Sequence, residues 1–261
     1  MPNWVCNHLI IRGEKALDVF HSLLVENKDN DFGYDFDFNK IKPMPEELNV
    51  VAGTVTERCA KLYVNAMMND CDAYLKYSKL FTEAFGRDFY LTEAEQAESM
   101  AEVLRYKDYP DEKLLFSNKA EAYAYGKRAL DNYAKYGAKD WYDWCVKNWG
   151  TKWNACDTQV NDYDKPEVYF NTAWGSIPEL LCALSEQNPG CEFEYEYADE
   201  DVGFHTGFYL FKNGKVIEGG PYDDQSRGAY ETYFALWGGE TDFRFNAKTG
   251  TYEYIDGEES M

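Results

Sequence analysis

Apolar residues along this chain switch between two periods, and the switches mark its elements. Trp4–Arg12 is a short apolar run that ends at Gly13 and predicts a strand. Leu17, Phe20, His21, Leu24 and Val25 then recur at helical spacing, which predicts a helix over 14–26 with His21 on its core face. Asp31–Asn39 is acidic and aromatic, and the two prolines of Ile41–Pro45 favour an extended turn. From 46 to 137 the strand signal fades into Ala, Glu, Lys and Tyr. Thr54…Glu57, Thr92…Glu95 and Asn118…Glu121 have capping-box spacing, and Gly86, Gly126 and Gly137 fall at expected breaks. About four helices are expected there.

A short helix over 139–148, ending at Gly150, leads back to strand signals at Trp153–Val160 and Glu167–Ala173, with a turn at Asp162–Pro166. Ser176-Ile177-Pro178-Glu179 opens a helix as a capping box with an early proline; it carries Leu180, Leu181 and Leu184 and stops before Pro189-Gly190. Glu192–Tyr197 alternates throughout, as a half-buried strand does. Phe208–Ile217 is a hairpin about Asn213-Gly214, the pair a type I′ turn favours. A weaker hairpin, 241–245 with 251–255, closes the chain. Without the insertion the order is βαββαβ, an α+β ferredoxin-like sandwich with an antiparallel sheet, helices on one face and extra C-terminal hairpins. The expected domains are thus 1–45 with 138–261 as the core, and 46–137 as a helical insertion.

Charge narrows the partners. The net charge is −21 over 261 residues. Residues 191–261 hold 16 acidic and 5 basic side chains, a net of −11. Such a chain steers toward basic partners and is a poor direct ligand for nucleic acid or an anionic membrane. No apolar run approaches the roughly 20 residues of a membrane span. Cys6, Cys59, Cys71, Cys145, Cys156, Cys182 and Cys191 show no C-x-x-C spacing, and Met1-Pro2-Asn3-Trp4 has no leader character. They are expected to be reduced thiols in a cytosol. The 22 tyrosines suit half-buried sheet faces and interfaces.

Candidate chemistry is sparse. Four of the seven tryptophans, Trp141, Trp144, Trp149 and Trp153, lie within thirteen residues, and Trp174 follows. Core packing is the favoured reading of this density; a stacking platform is the alternative. Lys147 and Lys152 beside Gly150-Thr151 lack P-loop spacing. His8 and His21 are expected to be satisfied structural histidines. No cysteines and histidines sit at metal-site spacing, and neither Asp199-Glu200-Asp201 nor Asp223-Asp224 fits an EF-hand loop, so no metal and no cofactor are expected. Glu192, Glu194 and Glu196 point to one face of a strand at intervals of about 6.6–6.8 Å. Such a row of like charge is either a solvated edge or a backbone-like array for a basic groove.

Met1-Pro2-Asn3-Trp4 with Asn7, Trp144 through Asn148-Trp149-Gly150-Thr151-Lys152-Trp153, and Thr172-Ala173-Trp174 followed by Pro178 resemble the YubB-type ferredoxin-like family of phage and plasmid proteins. The resemblance covers 1–27, 38–48 and about 140–220. It departs at Val5-Cys6, where the family places Cys directly after the position of Trp4, and in the insertion. It implies mobile-element ancestry and a ferredoxin-like core, and no catalytic residue.

The expected function is therefore a non-enzymatic, acidic interaction protein in the host cytosol, a counter-defence inhibitor of the anti-CRISPR kind. It would block a basic host protein, a nucleic-acid-binding defence effector, through Glu192, Glu194, Glu196, Asp199, Glu200, Asp201, Asp223 and Asp224. Two other readings stand beside it. One is an enzyme with a nucleotide or phosphate-ligand site near Trp149–Trp153 and His205. The other is an oligomeric scaffold pairing through C-terminal sheet edges.

Overall fold

A computed structural model describes residues 2–105 and 116–255; Met1 of the first motif and 106–115 of the expected insertion lie outside them. The chain divides into two compact units, 1–43 with 145–261, and 44–144. The boundaries read from the sequence were 45 and 138.

The first unit opens with β1 (Trp4–Arg12), whose alternate residues Val5, Asn7, Leu9 and Ile11 are buried. Helix α1 (Ala16–Leu23) follows, then the short pair β2 (Leu24–Glu26) and β3 (Tyr34–Phe36). The helix ends at Leu23, and not at 26 as its spacing predicts. Leu24 and Val25 pair with Phe36 and Asp35, and the Asp37 amide donates to the Leu23 carbonyl. The helix buries Ala16, Val19, Phe20 and Leu23; Leu24, buried as expected, belongs to β2. Val25 is exposed and His21 half-buried. Both stripes contain Phe20 and have helical spacing, so periodicity alone did not choose between them.

The 44–144 unit holds α2 (Thr54–Ala66), α3 (Cys71–Phe85), α4 (Glu93–Arg105) and α5 (Lys119–Tyr136). Helix α2 packs against the other three. Cys59, Leu62, Met100, Val103 and Ala122 form one apolar cluster; Ala60, Val64, Tyr77, Phe81 and Leu130 form another. Thr92 and Glu95 cap reciprocally, and the Asn118 side chain accepts from the Glu121 amide. Thr54 does not cap: the position before α2 is Gly53, and no side chain bonds there. Gly86 and Gly137 end α3 and α5 in the left-handed region. Gly126 is no break. It sits inside α5, where an added Cβ would lie 2.1 Å from the Cys59 carbonyl oxygen, so its missing side chain lets α5 approach α2.

Helix α6 (Trp141–Trp149) precedes β4 (Cys156–Gln159) and β5 (Glu167–Ala173). Strand β4 is shorter than the expected 153–160. The Asn154 side chain accepts from the Phe38 amide and donates to Asp37, taking the preceding residues out of the ladder. Helix α7 (Pro178–Gln187) carries buried Leu180, Leu181 and Leu184. Pro178 occupies its first turn, but Ser176 is not its cap; no side chain caps this helix. Strand β6 (Glu192–Asp199) alternates as expected, and β7 (Thr206–Lys212) turns into β8 (Lys215–Pro221) through Asn213 and Gly214, both at positive φ (52° and 71°). Helix α8 (Arg227–Trp237) went unforeseen. Ser226 caps it, Ala229, Tyr230 and Phe234 are buried, and Trp237 donates to the Ala198 carbonyl. The last hairpin, β9 (Phe243–Asn246) with β10 (Thr251–Tyr254), packs its rings on Tyr230 and Phe234.

The main sheet runs β4-β5-β1-β6-β7-β8, with every pairing antiparallel. Its first four strands are the ferredoxin-like arrangement, and the β7–β8 hairpin widens it. No helix of the described residues is long and apolar enough to cross a membrane.

Gly126→Ala tests the helix contact. Despite alanine's better helix propensity, it is expected to lower the unfolding free energy by about 1–3 kcal/mol through overpacking. Urea unfolding followed by circular dichroism measures this; a gain in stability would show that the two helices yield freely.

Candidate functional site

The residues singled out in the sequence fall on two parts of the sheet. The first is the open face, opposite Val5, Leu9 and Tyr195. Glu192, Glu194 and Glu196 stand there in a row on β6, but not as bare like charges. Lys212 Nζ lies 2.8 Å from Glu192 and Arg12 Nη2 2.8 Å from Glu194. His8 Nδ1 lies 3.5 Å from Glu196, and its Nε2 lies 2.8 Å from Glu167 on β5. The row is thus a ladder of cross-strand pairs in which Lys212 and Arg12, and His8 when protonated, offset the mutual repulsion that the sequence suggested. The Lys212 hydrogen bond and charge hold the Glu192 carboxyl below its ordinary pKa. The His8 ring also stacks on Tyr169, centroids 4.1 Å apart. Burial opposes its protonation. The hydrogen bonds and charges of Glu196 and Glu167 outweigh that, and its pKa is raised. His21, the other structural histidine expected, bonds the Tyr163 carbonyl and stacks on the Tyr163 ring.

The second part is the end of the sheet where β1 begins, β5 and β6 finish and β7 starts. It is built on buried hydrogen bonds. Asn7 is fully buried; its Nδ2 is shared by the Val5 and Phe170 carbonyls and Thr172 Oγ1, and its Oδ1 accepts from the Tyr195 hydroxyl. Tyr195 in turn accepts from the Ile177 amide, and Thr172 donates to the Gly175 carbonyl. Thr151 donates to the Ala173 carbonyl and accepts from the Ala173 amide. Gly150 and Gly175 approach so closely that a Cβ on Gly175 would sit 2.5 Å from the Gly150 oxygen. Trp149 is buried, donates to the Lys42 carbonyl and meets Phe38 edge-on. Trp144 is also buried, Asn148 half-buried. The Asn-Trp-Gly-Thr motif is therefore a clamp on the turn 173–177.

That clamp carries an aromatic surface. Trp174 has φ 64° and is 50% exposed. Its ring stacks with Trp153 at 6.3 Å, and Trp153 lies 6.1 Å from Trp4. Lys152 Nζ sits 4.3 Å from the Trp153 centroid and 5.1 Å from that of Trp174. The tryptophan-rich stretch is thus divided. Trp144 and Trp149 serve the interior, while Trp153 and Trp174 form a platform.

Beside the platform lies an acidic loop. Asp199 is buried; its Oδ1 accepts from the Asp201 amide and from Asn3 Nδ2, which also reaches Asp201 Oδ2. The Glu200 amide donates to the Trp4 carbonyl and leaves its carboxylate exposed. Asp224 accepts from the His205 amide; Asp223 is exposed, and its carbonyl accepts from the Ser226 amide. His205, at φ 44°, places Nδ1 3.5 Å from Asp199 Oδ2 and Nε2 3.4 Å from Ser176 Oγ. Sequence reasoning assigned Ser176 to a helix cap and Asp199 to a partner surface; nothing local signalled that they meet through His205. Among the described residues no three His, Cys, Asp or Glu side chains converge as a metal ion requires. Two concavities lie elsewhere: one of about 380 Å³ lined by Asn27, Asn30, Asp35 and Asp157, and one of about 470 Å³ by Leu62, Met100 and Tyr123.

Two measurements test this architecture. Asn7→Ala leaves Tyr195 and Thr172 short of a buried partner and is expected to cost about 2–4 kcal/mol in chemical denaturation; a loss under about 1 kcal/mol would mean that water replaces the carboxamide. His8 has a raised folded-state pKa, so its contribution is complete below its unfolded value, about 6.5, and fades as pH rises through the folded value. The melting-temperature difference between the wild type and His8→Gln should therefore shrink between about pH 6 and 8. A difference independent of pH would show that His8 acts by packing alone.

Residues 148–243 match the family model described as the ferredoxin-like domain in Api92-like protein. The crystal structure of the protein api92 from Yersinia pseudotuberculosis is similar at 12% identity, over 85% of this chain and 99% of that one, with a TM-score of 0.34. A search of curated proteins returned no match. The matched segment runs from the tryptophan clamp through α8. Residues 148–243 resemble, in sequence, the ferredoxin-like domain of Api92-like proteins.

Proposed function

We infer that this chain is an acidic interaction protein that captures a basic surface of another protein at the end of its sheet. One observation carries the reading: Asn3 joins the exposed Trp174 to the acidic loop, its carbonyl accepting from the Trp174 amide while its side chain donates to Asp199 and Asp201, and the Glu200 amide donates to the neighbouring Trp4 carbonyl. Lys152 already rests on the Trp153 and Trp174 rings, so this platform accepts a cation, and an arginine of a partner would find both an aromatic face and carboxylates. The open face suits this role less well, because Arg12, Lys212 and His8 occupy its glutamates. The net charge of −21 supports fast, salt-sensitive capture. Likeness to phage and plasmid proteins in the Trp4–Asn7, Trp144–Trp153 and Thr172–Trp174 motifs supports a mobile-element origin, and with it a nucleic-acid-binding host defence protein as the partner. The seven free cysteines fit a reducing cytosol.

Edge strand β8 favours a second reading, an oligomer paired through that edge. Val216 and Ile217 are 48% and 57% exposed there. Light scattering across concentration separates it from a monomer.

The test uses an arginine-rich peptide as probe, followed by tryptophan fluorescence. Reversing Glu200, Asp201 and Asp224 to lysine is expected to weaken binding about tenfold or more. Reversing Glu192, Glu194 and Glu196 should change it far less. Binding by the wild type should fade as the Debye length falls from ~8 Å at physiological salt to ~3 Å at 1 M. Undiminished binding by the sheet-end variant overturns the reading, and loss in the glutamate-row variant alone moves the docking surface to the open face.

A further inference from the structure

We propose that Ser176, His205 and Asp199 form a nucleophilic array that hydrolyses neutral or cationic carboxylic esters. The proposal does not rest on partner capture; it rests on how three separated residues meet. Ser176 Oγ lies 3.4 Å from His205 Nε2, and Asp199 Oδ2 lies 3.5 Å from the other ring nitrogen, Nδ1. This is the nucleophile–base–orienter order of serine hydrolysis, recognised by geometry and not by sequence position. Both contacts are long for hydrogen bonds, and catalytic contacts of this kind tighten when substrate binds. Accessibility follows the same order. Asp199 is 7% exposed, whereas Ser176 and His205 reach solvent.

The surroundings orient each member. Asp199 Oδ1 is held by the Asp201 amide and Asn3, leaving Oδ2 for His205. Tyr197 meets the His205 ring edge-on at 5.3 Å, and its hydroxyl bonds Ser176. Burial pushes the Tyr197 pKa up to about 12, so the ring stays neutral beside Ser176 and His205. Trp174 and His205 both hold positive φ, 64° and 44°, although neither is glycine. Such backbone strain persists only where the surrounding structure enforces it. Ser176 leaves a strand and enters α7 through a sharp turn, and the Gly175 and Ser176 amides donate to no acceptor among the described residues. They are available to an oxyanion.

The reaction balances without a cofactor. Ser176 Oγ bonds to the ester carbonyl carbon, the carbonyl π pair moves to oxygen, and the serine proton passes to His205 Nε2. As the C=O re-forms, the ester C–O bond breaks and the departing alkoxide takes that proton. Water then attacks the acyl-serine, giving its proton to Nε2; the acid leaves, and Ser176 regains a proton from Nε2. Glu200, Asp201 and Asp224 at the rim repel anionic esters and phosphates.

Full-length protein is incubated with a neutral fluorophosphonate probe, and the adduct is located by peptide mass spectrometry; p-nitrophenyl acetate hydrolysis is followed in parallel. Label is expected on Ser176, absent in Ser176→Ala, with labelling and hydrolysis in His205→Gln down about a hundredfold or more. Circular dichroism establishes that both variants fold. Arginine-peptide binding should be unchanged in Ser176→Ala, which separates this proposal from partner capture. No label on Ser176, or hydrolysis unchanged in either folded variant, overturns it.

Discussion

One buried carboxamide constrains the whole sheet end. Asn7 lies on the central strand with no exposed surface, and its hydrogen bonds reach Phe170 and Thr172 on β5 and Tyr195 on β6. Each buried polar group left unpaired would cost about 1–3 kcal/mol, so the network is favourable only when complete. Completing it requires the β1–β5 and β1–β6 registers to hold at the same time, because a one-residue slip would turn Asn7 to the open face. Tyr195 and Thr172 then carry the constraint outward, to the Ile177 amide and the Gly175 carbonyl. The turn between β5 and α7, with the exposed Trp174 and the half-buried Ser176, is thereby tied to the core.

The second constraint is charge. A chain this acidic must place carboxylates where they do not oppose folding. On the open face it does so by interleaving. Arg12, His8 and Lys212 lie on the strands flanking β6, each beside one glutamate of the row. At the sheet end the device differs: backbone amides and Asn3 bind Asp199 and Asp201, which neutralises no charge and leaves a negative field facing solvent. Solvent-facing carboxylates therefore remain on the 199–201 and 223–224 loops, whereas the glutamate row on β6 is paired.

Legibility followed the range of the interactions. Strand β1, the alternating β6 and the Asn213-Gly214 hairpin are specified by near neighbours, and all were readable. Helix α1 was readable as a helix, but its buried face lay one residue away, since both stripes have helical spacing, and Leu24 left the helix to pair with Phe36. Helix α8 was missed although Ala229, Tyr230 and Phe234 have helical spacing after the Ser226 cap; the glycines on both sides of it masked the pattern. Gly126 looked like a break because close approach to Cys59 belongs to another helix and leaves no local trace. The Ser176–His205–Asp199 meeting was invisible for the same reason. Its members are brought together by the β6–β7 pairing and the α7 turn, not by spacing.

The tryptophans show why density along a chain is a poor guide to burial. Trp149 uses its indole N–H on the Lys42 carbonyl, a contact that suits the interior. Trp174 sits at the end of the same clamp, in a left-handed backbone conformation that keeps half its surface in water. Folding gains little from such exposure, and a polar residue or glycine would meet the local backbone demand with less apolar surface. The Asn7 network, the Thr151 clamp and the Gly150–Gly175 approach together hold one apolar ring outward beside carboxylates. An arrangement with that internal cost makes physical sense where something from outside completes it, whether a cation on the ring or an ester at Ser176.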